Sequence, residues 1–199
     1  MCGFVCLWNA GDESLANRMI GKIAHRGPDA VEVARLPGTQ TVMAHCRLSI
    51  IGTEDGQQPI HQTDDLLVAN GEIYNHQDLR AILGESAFQT ASDSETILHL
   101  FRSGEARWIS RLDGMFAFVL ATRNRIIAAR DPLGIKPLYV ARLGDGYAFA
   151  SELKAFDGVE VANIEAIPPG TLYDSQDGWR QWYRTPQGAA EAEPDLDIG

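Results

Sequence analysis

The sequence predicts an α+β fold whose sheets are antiparallel. Its β-prone runs come in pairs joined across short turns, and its helical stretches are grouped rather than alternating with single strands. Length sets the domain count: 199 residues can fill one well-cored domain and are too few for two of ordinary size.

Each element has its own signal. Cys2 to Trp8 is apolar and β-prone, a buried strand that begins at the terminus itself. Asn9-Ala10-Gly11-Asp12 is a turn. From Asp12 to His25, Leu15, Met19 and Ile23 recur at a spacing of four with Ile20 beside them, one apolar face of a helix that Gly27-Pro28 ends. His25-Arg26-Gly27-Pro28-Asp29 is a polar, turn-rich loop. Strands are expected over Val31 to Leu36 and Thr41 to Ile51, with a Gly- and Gln-rich loop from Gly52 to Gln62. Leu66 to Asn70 is a short strand running into Asn70-Gly71, a strong tight-turn dipeptide.

Asn75 is expected to cap a helix carrying Leu79, Ile82 and Leu83. A second helix starts after Ser92-Asp93-Ser94-Glu95, where a capping residue and first-turn acids suit the helix dipole. Its apolar face is Ile97, Leu98, Leu100 and Phe101. The pattern then returns to hairpins: Met115 to Thr122 with Arg125 to Arg130, Leu138 to Arg142 with Tyr147 to Ser151, and Thr171 to Asp174 with Trp179 to Tyr183. The Ala/Glu/Pro/Asp-rich stretch from Pro186 to Gly199 is expected to be disordered. The domain is placed at residues 2–183, with 184–199 as an acidic tail or the start of a linker.

Composition narrows the function classes. Hydrophobic residues make up 45% and charged residues 22%, an ordinary globular balance. Acidic residues outnumber basic ones 27 to 17, for a net charge of −10, which argues against a nucleic-acid partner or an anionic membrane surface. No apolar run approaches the ~20 residues needed to span a bilayer, and the start lacks the basic region of a secretory signal. The three cysteines Cys2, Cys6 and Cys46 suggest no disulfide framework, so a cytoplasmic location is expected. No Cys/His set with zinc-site spacing occurs, and no metal site is expected.

One stretch carries chemistry on its own. If the initiator methionine is removed from Met1-Cys2-Gly3, the mature chain begins with a thiol nucleophile and a free α-amine on the same residue. Such an amine titrates near ~8, so at neutral pH a useful fraction can accept the thiol proton. An N-terminal amine serving as base to its own side chain is an established way to activate a nucleophile. Cys2 alone is a weak signal, which needs an oxyanion site and a substrate pocket around it.

The rest of the chain supplies a series of motifs. Cys2-Gly3, His25-Arg26-Gly27-Pro28-Asp29, His45-Cys46-Arg47-Leu48-Ser49-Ile50-Ile51, Asn70-Gly71-Glu72-Ile73-Tyr74-Asn75 and Ser92-Asp93-Ser94-Glu95 follow in order. Asp113-Gly114-Met115-Phe116-Ala117-Phe118, the run from Arg130-Asp131-Pro132 to Pro137-Leu138-Tyr139, and Ser151-Glu152-Leu153-Lys154-Ala155 complete the series. In these motifs the sequence resembles class II glutamine amidotransferase domains, most closely the N-terminal glutaminase domain of glutamine-dependent asparagine synthetases, over roughly residues 2 to 183. The resemblance implies the N-terminal nucleophile hydrolase fold, a four-layer αββα sandwich of two antiparallel sheets. It implies hydrolysis of L-glutamine to glutamate and ammonia through a Cys2 thioester, supplying ammonia for asparagine synthesis from aspartate.

The implied roles are chemically apt. Amide hydrolysis passes through a tetrahedral oxyanion that needs preorganised donors, and the Asn70 side-chain amide and Gly71 backbone N–H would supply two. An Asn-Gly hairpin turn is the plainer reading of the same pair. Arg47 suits the α-carboxylate of glutamine, because its planar fork binds two oxygens; Asp93 suits the α-ammonium, and Glu72 can share that role. Leu48, Ser49, Ile50 and Ile51 would line the pocket. His25 and His45 are not needed as general bases, since the N-terminal amine fills that role. Arg26 and Asp29 are expected to form a salt-bridged loop that shapes the pocket rather than to be catalytic groups, and Trp8, Trp108, Trp179 and Trp182 to be core or edge residues. Glu152 and Lys154 are expected on the surface.

Cys6 stands where the family usually has glycine, and Gly52 where it usually has aspartate. Nothing resembles an ATP-phosphate loop. ATP and Mg²⁺ are therefore expected only for a synthetase domain absent from these 199 residues, and the expected partner is a synthetase domain or subunit that accepts ammonia. The competing functional readings are the glutaminase half of another amidotransferase and a non-catalytic glutamine-sensing module.

Overall fold

The computed structural model describes residues 2–48 and 56–184. The strand end expected at Ser49, Ile50 and Ile51, the Gly52 departure and the acidic tail lie outside the described residues. Twelve strands among the described residues form two six-stranded sheets in which every pairing is antiparallel. The strands are β1 (Gly3–Trp8), β2 (Ala30–Arg35), β3 (Val42–Arg47), β4 (Ile60–Gln62), β5 (Asp65–Ile73), β6 (Gly114–Ala121), β7 (Ile126–Arg130), β8 (Tyr139–Leu143), β9 (Gly146–Ala150), β10 (Ala162–Ala166), β11 (Thr171–Asp174) and β12 (Gly178–Gln181). One sheet runs β10-β8-β9-β1-β3-β2 and the other β12-β11-β7-β6-β5-β4. The helices are α1 (Glu13–Lys22), α2 (His76–Leu83) and α3 (Glu95–Arg102).

Three apolar layers show how these pieces stack. Alternate residues of a strand face opposite sides of its sheet. Phe4, Cys6, Met43, Val140 and Phe149 of the first sheet meet Leu66, Val68, Ala117, Val119 and Ala128 of the second in a central layer. The intervening residues Val5, Leu7, Val42 and Ala44 face Ala16, Met19 and Ile20 of α1. On the far side of the second sheet, Leu67, Ala69, Phe116 and Phe118 pack against Leu79 of α2 and Ile97 and Leu98 of α3. The order helix, sheet, sheet, helix is the expected αββα sandwich. Cys6 is fully buried in the central layer, where burial pushes its thiol far above the usual range and leaves it a small neutral filler.

Local signals hold at α1: the Asp12 side chain accepts from the Leu15 N–H (2.8 Å), a true N-cap. They fail at Asn70-Gly71, which is no turn. Strand β5 runs straight through the pair, with Asn70 opposite Ala117 and Gly71 opposite Phe116 on β6. Glycine is required there by close approach, since a Cβ at Gly71 would sit 2.1 Å from the Met115 carbonyl oxygen. Asn75 occupies the N-cap position of α2 without capping it. Its Oδ1 accepts from the Asp113 N–H (3.1 Å) and its Nδ2 donates to the Arg111 carbonyl (2.9 Å), tying the helix to the entrance of β6. The sequence reading missed the short β4, inside the expected loop, and β10, whose five residues are all exposed. Of the tryptophans, Trp108 is buried and Trp182 stacks on Phe116, while Trp179 is half-exposed at the edge.

Candidate active site

Strand alternation decides which polar side chains meet. Phe4 and Cys6 point into the central layer, so Cys2 belongs to the same side of the first sheet. On β3, Met43 points inward and Cys46 faces α1, which puts His45 and Arg47 on the inner side. On β5, Leu66 and Val68 point inward, and Asn70 continues their row. Because Gly3 pairs with Cys46, the chain brings Cys2 beside Arg47 at the end of the central layer. Asn70 reaches the same point from the opposite sheet.

The contacts are specific. The Cys2 thiol is half-buried, with Sγ 3.9 Å from the Leu48 carbonyl oxygen. The Cys2 carbonyl accepts from Arg26 Nε (2.9 Å) and from Asn70 Nδ2 (3.1 Å), while Asn70 Oδ1 accepts from Arg26 Nη2 (3.2 Å). The Asn70 amide is oriented by these partners, the arrangement in which both of its ends are satisfied. Asn70 is only 2% exposed and Arg26 8%.

Arg26 is thus a hub that the sequence reading did not find. Its third donor, Nη1, pairs with Glu152 Oε1 at 2.7 Å, and the same carboxylate oxygen lies 3.2 Å from His25 Nε2. The salt-bridge partner of Arg26 is therefore Glu152, about 125 residues away in the chain, rather than the neighbouring Asp29. Glu152 belongs to this network, half-buried, while Lys154 is exposed as expected. Burial alone would raise the Glu152 pKa; hydrogen bonds from Arg26 and His25 outweigh it and hold the carboxyl below the usual range. Gly27 makes the hub possible, because a Cβ there would strike the Cys46 carbonyl at 2.4 Å and lift the Arg26 turn off β3. Asp29 anchors the far side of that turn by donating its N–H to the Arg47 carbonyl (3.0 Å).

His45 is buried, and burial first, then the charge of Arg47, pushes its pKa down to about 4, so the ring is neutral near neutral pH. Its Nε2 has no partner among the described residues, and it lines a small pocket with Ala30, Glu32, Arg47, Gln57 and Gln58. Arg47 itself is half-buried beside Gly56, whose Cβ, if present, would lie 3.2 Å from a guanidinium nitrogen.

Asp93 does not cap α3 with its side chain. Its Oδ2 accepts from the Ile73 N–H at 2.6 Å, which fixes it at the end of β5, three residues beyond Asn70. Glu72, between them, is exposed. Of the expected site residues, the structure joins Cys2, Leu48, Arg47 and Asn70 at one end of the central layer, and holds Gly71, Glu72 and Asp93 along the same stretch of β5. Ser49, Ile50 and Ile51 lie outside the described residues. The half-buried thiol thus has a buried amide held beside it, Arg47 on the adjacent strand and Asp93 at the end of β5.

Residues 1–172 match the family described as a glutamine amidotransferase domain. Curated relatives include asparagine synthetase [glutamine-hydrolyzing] 2 of Oryza sativa subsp. japonica, 42% identical over 197 residues, and asparagine synthetase [glutamine-hydrolyzing] 3 of Arabidopsis thaliana, 40% identical. Each alignment covers 94% of this chain, and 33% and 34% of the respective relative. The chain therefore spans about a third of the length of the relatives it matches. Among solved structures, the glutamine phosphoribosylpyrophosphate amidotransferase from B. subtilis superposes with a TM-score of 0.77 at 24% identity, over 93% of this chain and 50% of that one. That likeness shows the fold. No helix among the described residues is long and apolar enough to cross a membrane.

Proposed function

The chain belongs to the glutamine amidotransferase domain family, and from that premise we propose that it hydrolyses L-glutamine to glutamate and ammonia through a thioester on Cys2. Removal of Met1 exposes the α-amine, which takes the thiol proton. The thiolate adds to the side-chain amide carbon, and the carbonyl oxygen becomes an oxyanion. Collapse of that adduct expels ammonia, with the proton returned from the α-ammonium. Water then adds to the thioester, glutamate departs and the thiol is restored.

The observation that carries this reading is the buried Asn70 amide held against the nucleophilic residue by Arg26. An amide NH₂ has two hydrogens. One is spent on the Cys2 carbonyl, and the other serves the oxyanion together with the Gly71 N–H. Arg47 takes the α-carboxylate and Asp93, with Glu72, the α-ammonium; Leu48, Ser49, Ile50 and Ile51 line the pocket. The ammonia passes to a synthetase domain or subunit that uses aspartate, and ATP and Mg²⁺ act there rather than on this domain. The site works without a metal, in the cytoplasm.

Cys2→Ser, expressed so that Met1 removal is verified by intact mass, is expected to lose glutaminase activity with an unchanged melting curve. Strong turnover from a chain shown to retain Met1 refutes the mechanism. The 199 residues incubated with glutamine, aspartate and ATP are expected to yield glutamate and ammonia at a rate indifferent to ATP and Mg²⁺. Asparagine formed in step with AMP would show a synthetase site within them.

A further inference from the structure

Between Phe88 and α3 the chain makes no regular structure, yet it must deliver Asp93 to within 2.6 Å of the Ile73 N–H. Its backbone groups are satisfied by two side chains instead of a ladder. Glu95, fully buried, accepts from the N–H groups of Gln89 (2.8 Å) and Thr90 (2.8 Å) and from the Thr90 hydroxyl (2.7 Å). Arg80, also buried, donates from Nη2 to the carbonyls of Thr90 (2.6 Å) and Ser92 (2.9 Å). The Phe88 ring is flanked by the Arg80 guanidinium and the His99 ring, each 4.2 Å from its centre, and His99 Nε2 lies 3.2 Å from Glu95 Oε1. A carboxylate thus holds the donors of this segment and a guanidinium its acceptors.

We propose that Glu95 and Arg80 are positioning residues for the recognition of the α-ammonium group of the substrate, clasping residues 89–93 so that the Asp93 carboxylate is fixed at the end of β5. The proposal rests on the reading of Asp93 given above. With Oδ2 committed to Ile73, Asp93 Oδ1 has among the described residues only the Ser94 hydroxyl at 3.5 Å, too long for a strong hydrogen bond. That oxygen stays aimed only while the segment behind it is rigid. In Glu95→Gln one acceptor oxygen becomes an NH₂ that opposes a backbone N–H or the Thr90 hydroxyl, so the clasp opens on its donor side while volume is conserved. Cys2, Arg26 and Asn70 take no part in the clasp, and the chemical step should be untouched.

The test compares two substrates: glutamine, and glutaramate, which is glutamine without its α-amino group. In Glu95→Gln, kcat/KM for glutamine is expected to fall about tenfold through KM, with kcat within about threefold, while kcat/KM for glutaramate stays within about twofold of the parent. Arg80→Lys, which can hold only one of the two carbonyls well, is expected to move the same way by a smaller factor, and it serves if Glu95→Gln does not fold. Equal losses on both substrates, or no loss on either, overturn the proposal. Asp93→Asn is the control that separates the two claims. If it discriminates between the substrates and neither clasp variant does, the clasp fails alone. If it lowers both equally, the assignment of Asp93 fails.

Discussion

Arg26→Lys is the substitution that separates a structural loop from an active-site hub. The lysine keeps the charge but offers one compact donor group where the guanidinium serves three acceptors: the Cys2 carbonyl at 2.9 Å, Asn70 Oδ1 at 3.2 Å and Glu152 at 2.7 Å. The ammonium would follow the carboxylate, leaving the buried Asn70 Oδ1 unpaired and the Cys2 carbonyl with the Asn70 amide as its one remaining donor. An unmade bond to a charged group costs roughly 1.5–3 kcal/mol, and water re-entering beside the half-buried Cys2 recovers part of it, so about 2–4 kcal/mol of stability should be lost. For a domain of this size each kcal/mol lowers Tm by about 2–4 °C. The kinetic effect should be larger than this suggests. Arg26 is the donor that tells the Asn70 amide which way to face, and without it the amide can turn its oxygen toward the developing oxyanion. Losing one such donor costs about a hundred- to a thousand-fold in kcat. Steady-state release of glutamate, read alongside thermal melts, gives both numbers. A variant with kcat within a few-fold of the parent and an unshifted melt would refute the hub.

Other expectations follow from the same geometry. Asn70→Ala should cut kcat by about a hundred- to a thousand-fold with little change in KM, and a change confined to KM would remove the oxyanion assignment. Arg47→Ala should weaken binding of glutamine and of glutamate by roughly 2–5 kcal/mol, measured as KM and product-inhibition constants. Asparagine, one methylene shorter, should be a poor substrate, because a clamp on the amino-acid end leaves its amide short of Cys2; comparable kcat/KM values for the two amides would contradict that clamp. Stability should also respond to acid. For Glu95 and Asp174, burial raises the pKa but hydrogen bonds, from Gln89 and Thr90 in one case and Arg125 and Gln176 in the other, outweigh it and leave both carboxyls below their ordinary range. A depressed native carboxyl contributes stability that is present above its unfolded pKa of ~4 and lost as pH falls through the lower native value. Urea midpoints should therefore hold from neutral pH to about pH 5 and fall below about pH 4, and Asp174→Asn should flatten that fall; an identical acid slope in the variant would count against the linkage.

The sequence alone carried the α+β class, because hairpin spacing and helical periodicity are local properties that neighbouring residues express without help. It also carried α1, where Leu15, Met19 and Ile20 recur at helical spacing and need only neighbouring residues to be read. What it could not carry was set by contacts across the fold. Asn70-Gly71 reads as a turn in isolation, and becomes strand because eight residues of β6 pair with β5 through it and the Met115 carbonyl leaves no room for a Cβ. Arg26 reads as one half of a loop ion pair with Asp29, and becomes the hub because the folding of the first sheet brings Glu152 to it from far along the chain and the second sheet brings Asn70. Asp93 stands near the start of a helix in the sequence, and its Oδ2 is held by the Ile73 N–H at the end of a strand. In each case a polar group has a plausible local partner, and the tertiary structure offers it a buried, better-aligned one; a hydrogen bond shielded from water outcompetes an exposed one.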